Sequence, residues 1–130
     1  MRNSVRWNMT PAIKHGTIWL ANLTPQKGTE SGKTRPVLIL QDQALLDAEH
    51  PSTIIIPLTT KLIDDAEPLR IRVKARENLS RDFDLLVDQI RAIDNRRLSS
   101  GPLANLEPEL MKRIYQAVLE VIGINPSAVE

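Results

Sequence analysis

An arginine at the entrance to an apolar strand is the side chain best placed to do chemistry in this sequence. Arg35 follows a polar loop, residues 26–34, and comes directly before Pro36 and an apolar run over residues 37–40. Because proline disfavours helical backbone at the residue before it, Arg35 is expected to be extended. Its guanidinium would lie at the rim of a rigid strand, where its planar fork of N–H donors suits phosphate oxygens. The pattern therefore indicates a site that acts on a phosphate backbone.

Two consecutive threonines are the second candidate. Thr59 and Thr60 follow an apolar strand predicted over residues 53–58. If this strand is the antiparallel neighbour of the strand that begins near Arg35, Arg35 and Thr59 meet at one edge of the sheet, within reach of one ligand. Simpler explanations stay open for both residues: a salt bridge between Arg35 and Glu30, and a turn in which the Thr59 hydroxyl satisfies the backbone.

Other kinds of site have less support. The chain has no cysteine, and its two histidines, His15 and His50, lack metal-binding spacing and are interpreted as surface residues. The acidic residues 64–67 are interpreted as a solvated loop. The glycines do not match a P-loop, and no serine lies on a strand-to-helix elbow. We therefore expect no metal and no cofactor.

Length and charge describe one ordinary globular domain. The 130 residues carry a net charge of +1, but residues 1–76 hold +4 and residues 77–130 hold −3. The basic half contains Arg35. This charge distribution gives weak support to an anionic ligand there, and an unevenly charged surface explains it equally well. No apolar run approaches the roughly 18 residues of a membrane span, and residues 1–13 lack the apolar stretch of a signal peptide. We therefore predict a cytoplasmic protein that does not contact membranes.

The hydrophobic pattern predicts a mainly β fold with one long helix. Strands are predicted over residues 16–23, 36–41, 53–58, 69–74 and 85–94, and a helical turn over residues 43–47. Residues 69–74 alternate between apolar and basic side chains, which predicts one buried face and one basic face in solvent. The segment 85–94 also fits one face of a helix, and its context favours a strand. An amphipathic helix is predicted from Pro108 to the stop at Gly123. Short strands followed by one helix predict a small barrel or curled antiparallel sheet with the helix packed on it.

Three ordered blocks of sequence extend the candidate site over most of the chain. They are residues 16–38 with Gly28, Thr29, Glu30 and Arg35, residues 56–60 with Thr59, and residues 87–98 with Asp88 and Gln89. With the helix that follows, they resemble the MazF/PemK/Kid family of toxin endoribonucleases. The resemblance implies an SH3-like β-barrel with a C-terminal helix, and a homodimer. The toxin domain would span residues 14–123, between an N-terminal arm (1–13) and a C-terminal tail (124–130).

The resemblance also implies roles for individual residues. Arg35 and Thr59 stand at the family's catalytic positions, and Glu30 is interpreted as a proton acceptor. The implied substrate-binding residues are Thr29, Lys33, Thr34, Thr60, Asp88 and Gln89. Thr34 departs from relatives that carry histidine there, so an acid–base role for a histidine at that position is unavailable.

The implied activity is metal-independent, sequence-specific cleavage of single-stranded RNA, mostly mRNA, by attack of the RNA's own 2′-hydroxyl on the scissile phosphate. The protein would be the toxin of a type II toxin–antitoxin system. Its expected partner is an acidic, MazE-like antitoxin whose disordered tail folds over the basic loop edge. Two other functions remain open on the same fold: a CcdB-like gyrase poison that cuts no RNA, and a catalytically silent RNA- or peptide-binding barrel.

Overall fold

The computed structural model describes residues 12–23 and 33–125. The loop that contains Gly28, Thr29 and Glu30 lies outside the described residues, as do most of the predicted arm and tail. Seven strands and two helices are described: β1 (Thr17–Asn22), β2 (Thr34–Ile39), α1 (Gln43–Asp47), β3 (Ser52–Thr59), β4 (Arg70–Val73), β5 (Phe83–Leu86), β6 (Arg91–Asp94), β7 (Leu98–Asn105) and α2 (Pro108–Val121). Two 3-10 turns, Val87–Gln89 and Asn95–Arg97, flank β6.

The strands form one curled antiparallel sheet. Its order is β4-β5-β3-β2-β1-β7, and β6 pairs with the first half of β3 while β5 pairs with its end. Every pairing between the strands is antiparallel. The predicted fold, a small mainly β domain of the SH3-like barrel kind with a C-terminal helix, is confirmed.

The central strands β2 and β3 are buried on both faces, which explains why their sequences are continuous apolar runs. On one face, Leu38 and Ile56 pack in a cluster with α2. On the other face, Val37 and Ile55 pack in a second cluster around Trp19. Because strand side chains alternate between faces, Arg35 and Thr59 share the face of this second cluster. The rigid pairing of β2 with β3 therefore determines where both candidate catalytic side chains lie.

The C-terminal helix forms as its sequence predicts. Pro108 occupies the first turn, where its missing N–H costs nothing, and Gly123 follows the helix with a φ of +86°. One face carries the buried side chains that close the first cluster, Leu110, Met111, Ile114 and Ala117. Within the described ranges, no helix combines the length and apolar character needed to span a membrane.

Two strand assignments differ from the prediction. The segment predicted as one strand over residues 85–94 is two strands, β5 and β6, separated by the 3-10 turn Val87–Gln89. Strand β7 was not predicted, because Gly101 and Pro102 at its centre are residue types that strands disfavour.

Gly101 is required where β7 crosses the ring of Trp19. A Cβ atom on Gly101 would lie 2.6 Å from Trp19 Cγ, and Trp19 is buried in the second cluster. Gly101→Ala should therefore lower the free energy of unfolding by about 1–3 kcal/mol, the usual cost of overpacking. Thermal melting checks this against Ser100→Ala, a change at the exposed neighbouring position. Equal melting temperatures for the two variants would contradict the prediction.

Candidate active site

Arg35 on β2 and Thr59 at the end of β3 belong to two paired strands. Val37 pairs with Pro57 in the antiparallel β2–β3 register. Continuing that register by two residues places Arg35 opposite Thr59, and opposed residues of an antiparallel pair point to the same face. Both residues line one cleft of about 400 Å³. The strand arrangement on which a shared site depends is therefore present.

The Arg35 guanidinium is half-buried and retains donors for a ligand. Its Nη1 donates to the backbone carbonyl of Leu58 at 3.4 Å, a long and weak hydrogen bond. A guanidinium has five N–H donors, so most have no partner among the described residues. Among the described residues no carboxylate pairs with Arg35. The alternative pairing with Glu30 involves a residue outside the described ranges.

The Thr59 hydroxyl stabilises a turn and can still act on a ligand. Its Oγ1 accepts a hydrogen bond from the backbone N–H of Lys61 at 3.2 Å. A hydroxyl has one donor hydrogen besides its two acceptor positions, and no described residue accepts that hydrogen. The turn contact and a donor role in the cleft are therefore compatible, and the contact restrains the rotamer.

Gln89 reaches the cleft because the chain bulges between β5 and β6. Leu58 and Ile55, three residues apart on β3, pair with Leu85 and Arg91, which are six residues apart. Three extra residues must leave the ladder, and the 3-10 turn Val87–Gln89 contains them. Bulges of this kind re-aim side chains beside functional sites. Gln89 accordingly lines the cleft with Arg35 and Thr59.

The other residues predicted to bind substrate are not brought into the described walls of this cleft. Lys33, Thr34, Thr60 and Asp88 are exposed and lie beside it in the chain rather than lining it. Thr34 pairs with Asn22 at the end of the β1–β2 ladder. Thr29 and Glu30 lie outside the described residues, so their roles stay predictions.

Two further arginines, Arg70 on β4 and Arg91 on β6, line the cleft. Neither was predicted from the sequence to belong to the site. The sequence predicted a basic β4 face in solvent, and the structure corrects this: Arg70 and Arg72 are half-buried and contact Asp84. The available signal was Asp84 itself, a single acidic residue inside the apolar strand Phe83–Leu86. Such a carboxylate must find partners when it is buried.

Asp84 is 1% exposed and accepts hydrogen bonds from three donors. Arg72 Nε donates to Oδ1 at 2.6 Å, and the N–H of Ile63 and Arg70 Nη1 donate to Oδ2 at 2.9 and 3.3 Å. Burial acts to raise the pKa of Asp84, but the bonds from Arg72, Ile63 and Arg70 together outweigh it and lower that pKa below its usual range. Asp84 is therefore ionised at neutral pH, and its ion pairs are lost only as the pH falls through the lowered pKa.

Several of the groups considered as metal ligands have other partners. In the described part of the chain, no group of three or more histidine or acidic side chains is arranged to hold a metal ion. In the acidic loop, Asp64 pairs with Arg72 at 2.8 Å and Glu67 with Arg113 at 2.9 Å. His50 is exposed, whereas His15, predicted to be at the surface, is half-buried, with Nε2 2.6 Å from the Tyr115 hydroxyl.

Solved structures share the fold. A MazE-MazF crystal structure from Deinococcus radiodurans matches with a TM-score of 0.72 at 23% identity, over 88% of this chain and 99% of that chain. The Mycobacterium tuberculosis toxin MazF-mt6 matches with a TM-score of 0.69 at 20% identity, over 84% of this chain and 98% of that chain. A mycobacterial endoribonuclease in complex with its cognate antitoxin matches with a TM-score of 0.65 at 19% identity, over 88% and 96% of the two chains.

Sequence comparison extends the likeness beyond the fold. The chain is 31% identical over 107 residues to endoribonuclease EndoA of Bacillus subtilis (strain 168). The aligned region covers 82% of this chain and 90% of that protein. The family model of the PemK-like, MazF-like toxins of type II toxin–antitoxin systems matches residues 14–122. The resemblance identified from the sequence is therefore confirmed, and the chain belongs to the PemK-like, MazF-like toxin family.

Proposed function

We propose that this toxin is a metal-independent endoribonuclease that cleaves single-stranded RNA, chiefly mRNA, at a specific short sequence. The observation that carries the proposal is the cleft in which Arg35 and Thr59 converge beside Gln89, Arg70 and Arg91. The described walls contain three guanidiniums and no carboxylate, which suits a polyanionic strand. An mRNA substrate places the site of action in the cytoplasm.

The cleft offers what the self-cleavage of RNA requires. The 2′-hydroxyl of a ribose attacks the adjacent phosphorus, a route that DNA lacks, and breaks the bond to the 5′ oxygen of the next nucleotide. Negative charge then develops on the non-bridging oxygens. Arg35 stabilises that charge with its free N–H donors, and Thr59 adds a hydroxyl donor. Glu30 is the proposed acceptor of the 2′-hydroxyl proton. The departing 5′ oxygen takes up a proton from water, and a 2′,3′-cyclic phosphate is left on the other fragment.

Base selection would depend mainly on hydrogen bonds. Among the described aromatic residues, Trp19 and Phe83 are buried and Tyr115 lies on α2, so none lines the cleft. Splayed bases are then read at their edges rather than by stacking on aromatic rings. Gln89 offers both an amide donor and an amide acceptor at the cleft wall. Thr29, Lys33, Thr34, Thr60 and Asp88 remain the proposed additional contacts along the strand.

We also infer a homodimer and an acidic antitoxin partner. The mycobacterial endoribonuclease with this fold was solved in complex with its cognate antitoxin. A cleft whose described walls contain three guanidiniums and no carboxylate attracts an acidic segment by the same charge that attracts RNA. An antitoxin tail lying in the cleft would therefore exclude the substrate.

Incubation of the purified protein with a long single-stranded RNA in excess EDTA tests the proposal. Discrete fragments are expected, since no step requires a divalent ion. A single-stranded DNA of the same sequence is the matched substrate control and should stay intact. Intact RNA, with RNA binding kept, would instead support a silent RNA-binding barrel. Intact RNA together with binding to gyrase would support the CcdB-like function.

A further inference from the structure

Arg70 lines the cleft, and two protein acceptors fix the orientation of its guanidinium. Its Nη1 donates to the backbone carbonyl of Lys61 at 2.8 Å and to Asp84 Oδ2 at 3.3 Å. Within the described chain, its Nε and Nη2 atoms have no hydrogen-bond partner, and the side chain is 21% exposed. One nitrogen is thus occupied by the protein, while donors on the other two remain available in the cleft.

Asp84 accepts hydrogen bonds from two arginines: Arg70, which lines the cleft, and Arg72, which lines another groove. Arg72 takes the shorter bond to Asp84 and lines a separate groove against α2. Arg72 also pairs with Asp64, whereas Arg70 shares Asp84 and has no carboxylate of its own among the described residues. Arg70 is therefore the less neutralised member of the pair, and its charge is directed to the cleft rather than to the groove at α2.

We propose that Arg70 binds an RNA phosphate that neighbours the scissile one, and that Asp84 is the positioning residue that holds the Arg70 guanidinium in the cleft. This inference rests on the proposed ribonuclease function and deepens it. Arg35 and Thr59 act on the reacting phosphate, so a cation farther along the same cleft meets the next phosphate of the strand. A fork already oriented by protein acceptors loses less side-chain freedom on binding than a free arginine does.

A contact between Arg70 and an RNA phosphate would make the affinity for RNA depend more steeply on salt concentration. Phosphate contacts on single-stranded nucleic acid release counterions, and each contributes about 0.7 to the slope of log affinity against log salt concentration. Removing the Arg70 contact should therefore weaken binding and flatten that slope. The cleavage rate at saturating RNA should change little, because the reacting phosphate still meets Arg35 and Thr59.

The test compares Arg70→Gln, Asp84→Asn, the double variant and a control, Lys74→Gln. Lys74 follows β4, is exposed and lines the groove at α2, so its replacement removes a positive charge outside the cleft. The probe is a cognate single-stranded RNA with 2′-deoxyribose at the mapped cleavage position, titrated between 50 and 200 mM salt. Single-turnover cleavage of the unmodified RNA is measured in parallel.

For Arg70→Gln we expect a Kd about tenfold higher, a salt slope lower by about 0.7, and a saturated cleavage rate within about twofold of wild type. Asp84→Asn should raise Kd in the same direction, and the double variant should bind no more weakly than Arg70→Gln. Lys74→Gln should leave Kd within about twofold. Should Asp84→Asn not fold, as judged by melting, Asp84→Glu replaces it, since it keeps the charge but displaces the carboxylate.

Three outcomes overturn specific parts of the proposal. Wild-type affinity and slope in Arg70→Gln, with the wild-type protein still cutting RNA, would refute the Arg70 contact and leave the proposed function intact. Independent, additive losses in the double variant would refute the positioning role of Asp84. A wild-type protein that cuts no RNA would refute the function itself, whatever the binding data.

Discussion

Replacement of Arg35 by alanine should slow RNA cleavage by about a hundredfold or more at saturating substrate. The guanidinium is the cleft donor that the proposal assigns to the charge on the five-coordinate phosphorus, and one preorganised donor of this type contributes about 3 kcal/mol to the transition state. The fold should be unaffected, because among the described residues the variant loses only the long 3.4 Å bond to the Leu58 carbonyl. Single-turnover rates on one RNA, with melting temperatures in parallel, measure both effects.

Two further variants make this result specific to the side chain. Arg35→Lys keeps the charge but loses the planar fork, so its rate should fall between those of wild type and Arg35→Ala. Arg81→Ala removes an exposed arginine that does not line the cleft, so it should cut at the wild-type rate. A wild-type rate for Arg35→Ala would refute the catalytic assignment. An equal loss in Arg81→Ala would attribute the effect to overall charge.

The sequence predicted the elements whose hydrophobic pattern has one interpretation. Strands β2 and β3 are apolar on both faces because each lies between two buried clusters, and a short apolar run bounded by turn residues favours a buried strand. The helix α2 has a start at Pro108, a stop at Gly123 and a buried face between them. These elements place Arg35 and Thr59, so the centre of the candidate site could be predicted.

The remainder depends on pairings that are distant in the chain. The bulge that brings Gln89 to the cleft exists because β5 and β6 pair with different parts of β3, and the apolar pattern from residue 85 to 94 carries no mark of that change. Strand β7 pairs with β1 although its centre is Gly101-Pro102. Packing against Trp19 overrides the low strand propensity of these residues.

The two additional arginines of the cleft could not be predicted from the sequence either, because their position also depends on pairings that are distant in the chain. Arg70 and Arg91 are separated along the chain and reach one cleft only through the order of the strands. Nothing local distinguishes Arg70 from Arg72, since both alternate outward from one strand. Their difference lies in their partners: Arg72 pairs with both Asp64 and Asp84 and lines the groove at α2, whereas Arg70 contacts Asp84 and lines the cleft.

A single 2′-deoxyribose at the scissile position should reduce cleavage there to background. The substitution removes the proposed nucleophile while leaving the phosphate, the bases and every protein side chain unchanged. Binding should therefore stay within about tenfold of the unmodified RNA, because one hydroxyl contact contributes about 0.5–1.5 kcal/mol. Affinity measured with the same two strands separates a loss of chemistry from a loss of binding.

The most direct test of the account is cleavage of these two strands side by side in excess EDTA, with both bound to the wild-type protein at saturation. The all-ribose strand is expected to be cut at its recognition sequence, and the modified strand is expected to stay intact at that bond. Equal cutting of both strands would show that the nucleophile comes from water or from the protein, and would contradict the proposed mechanism.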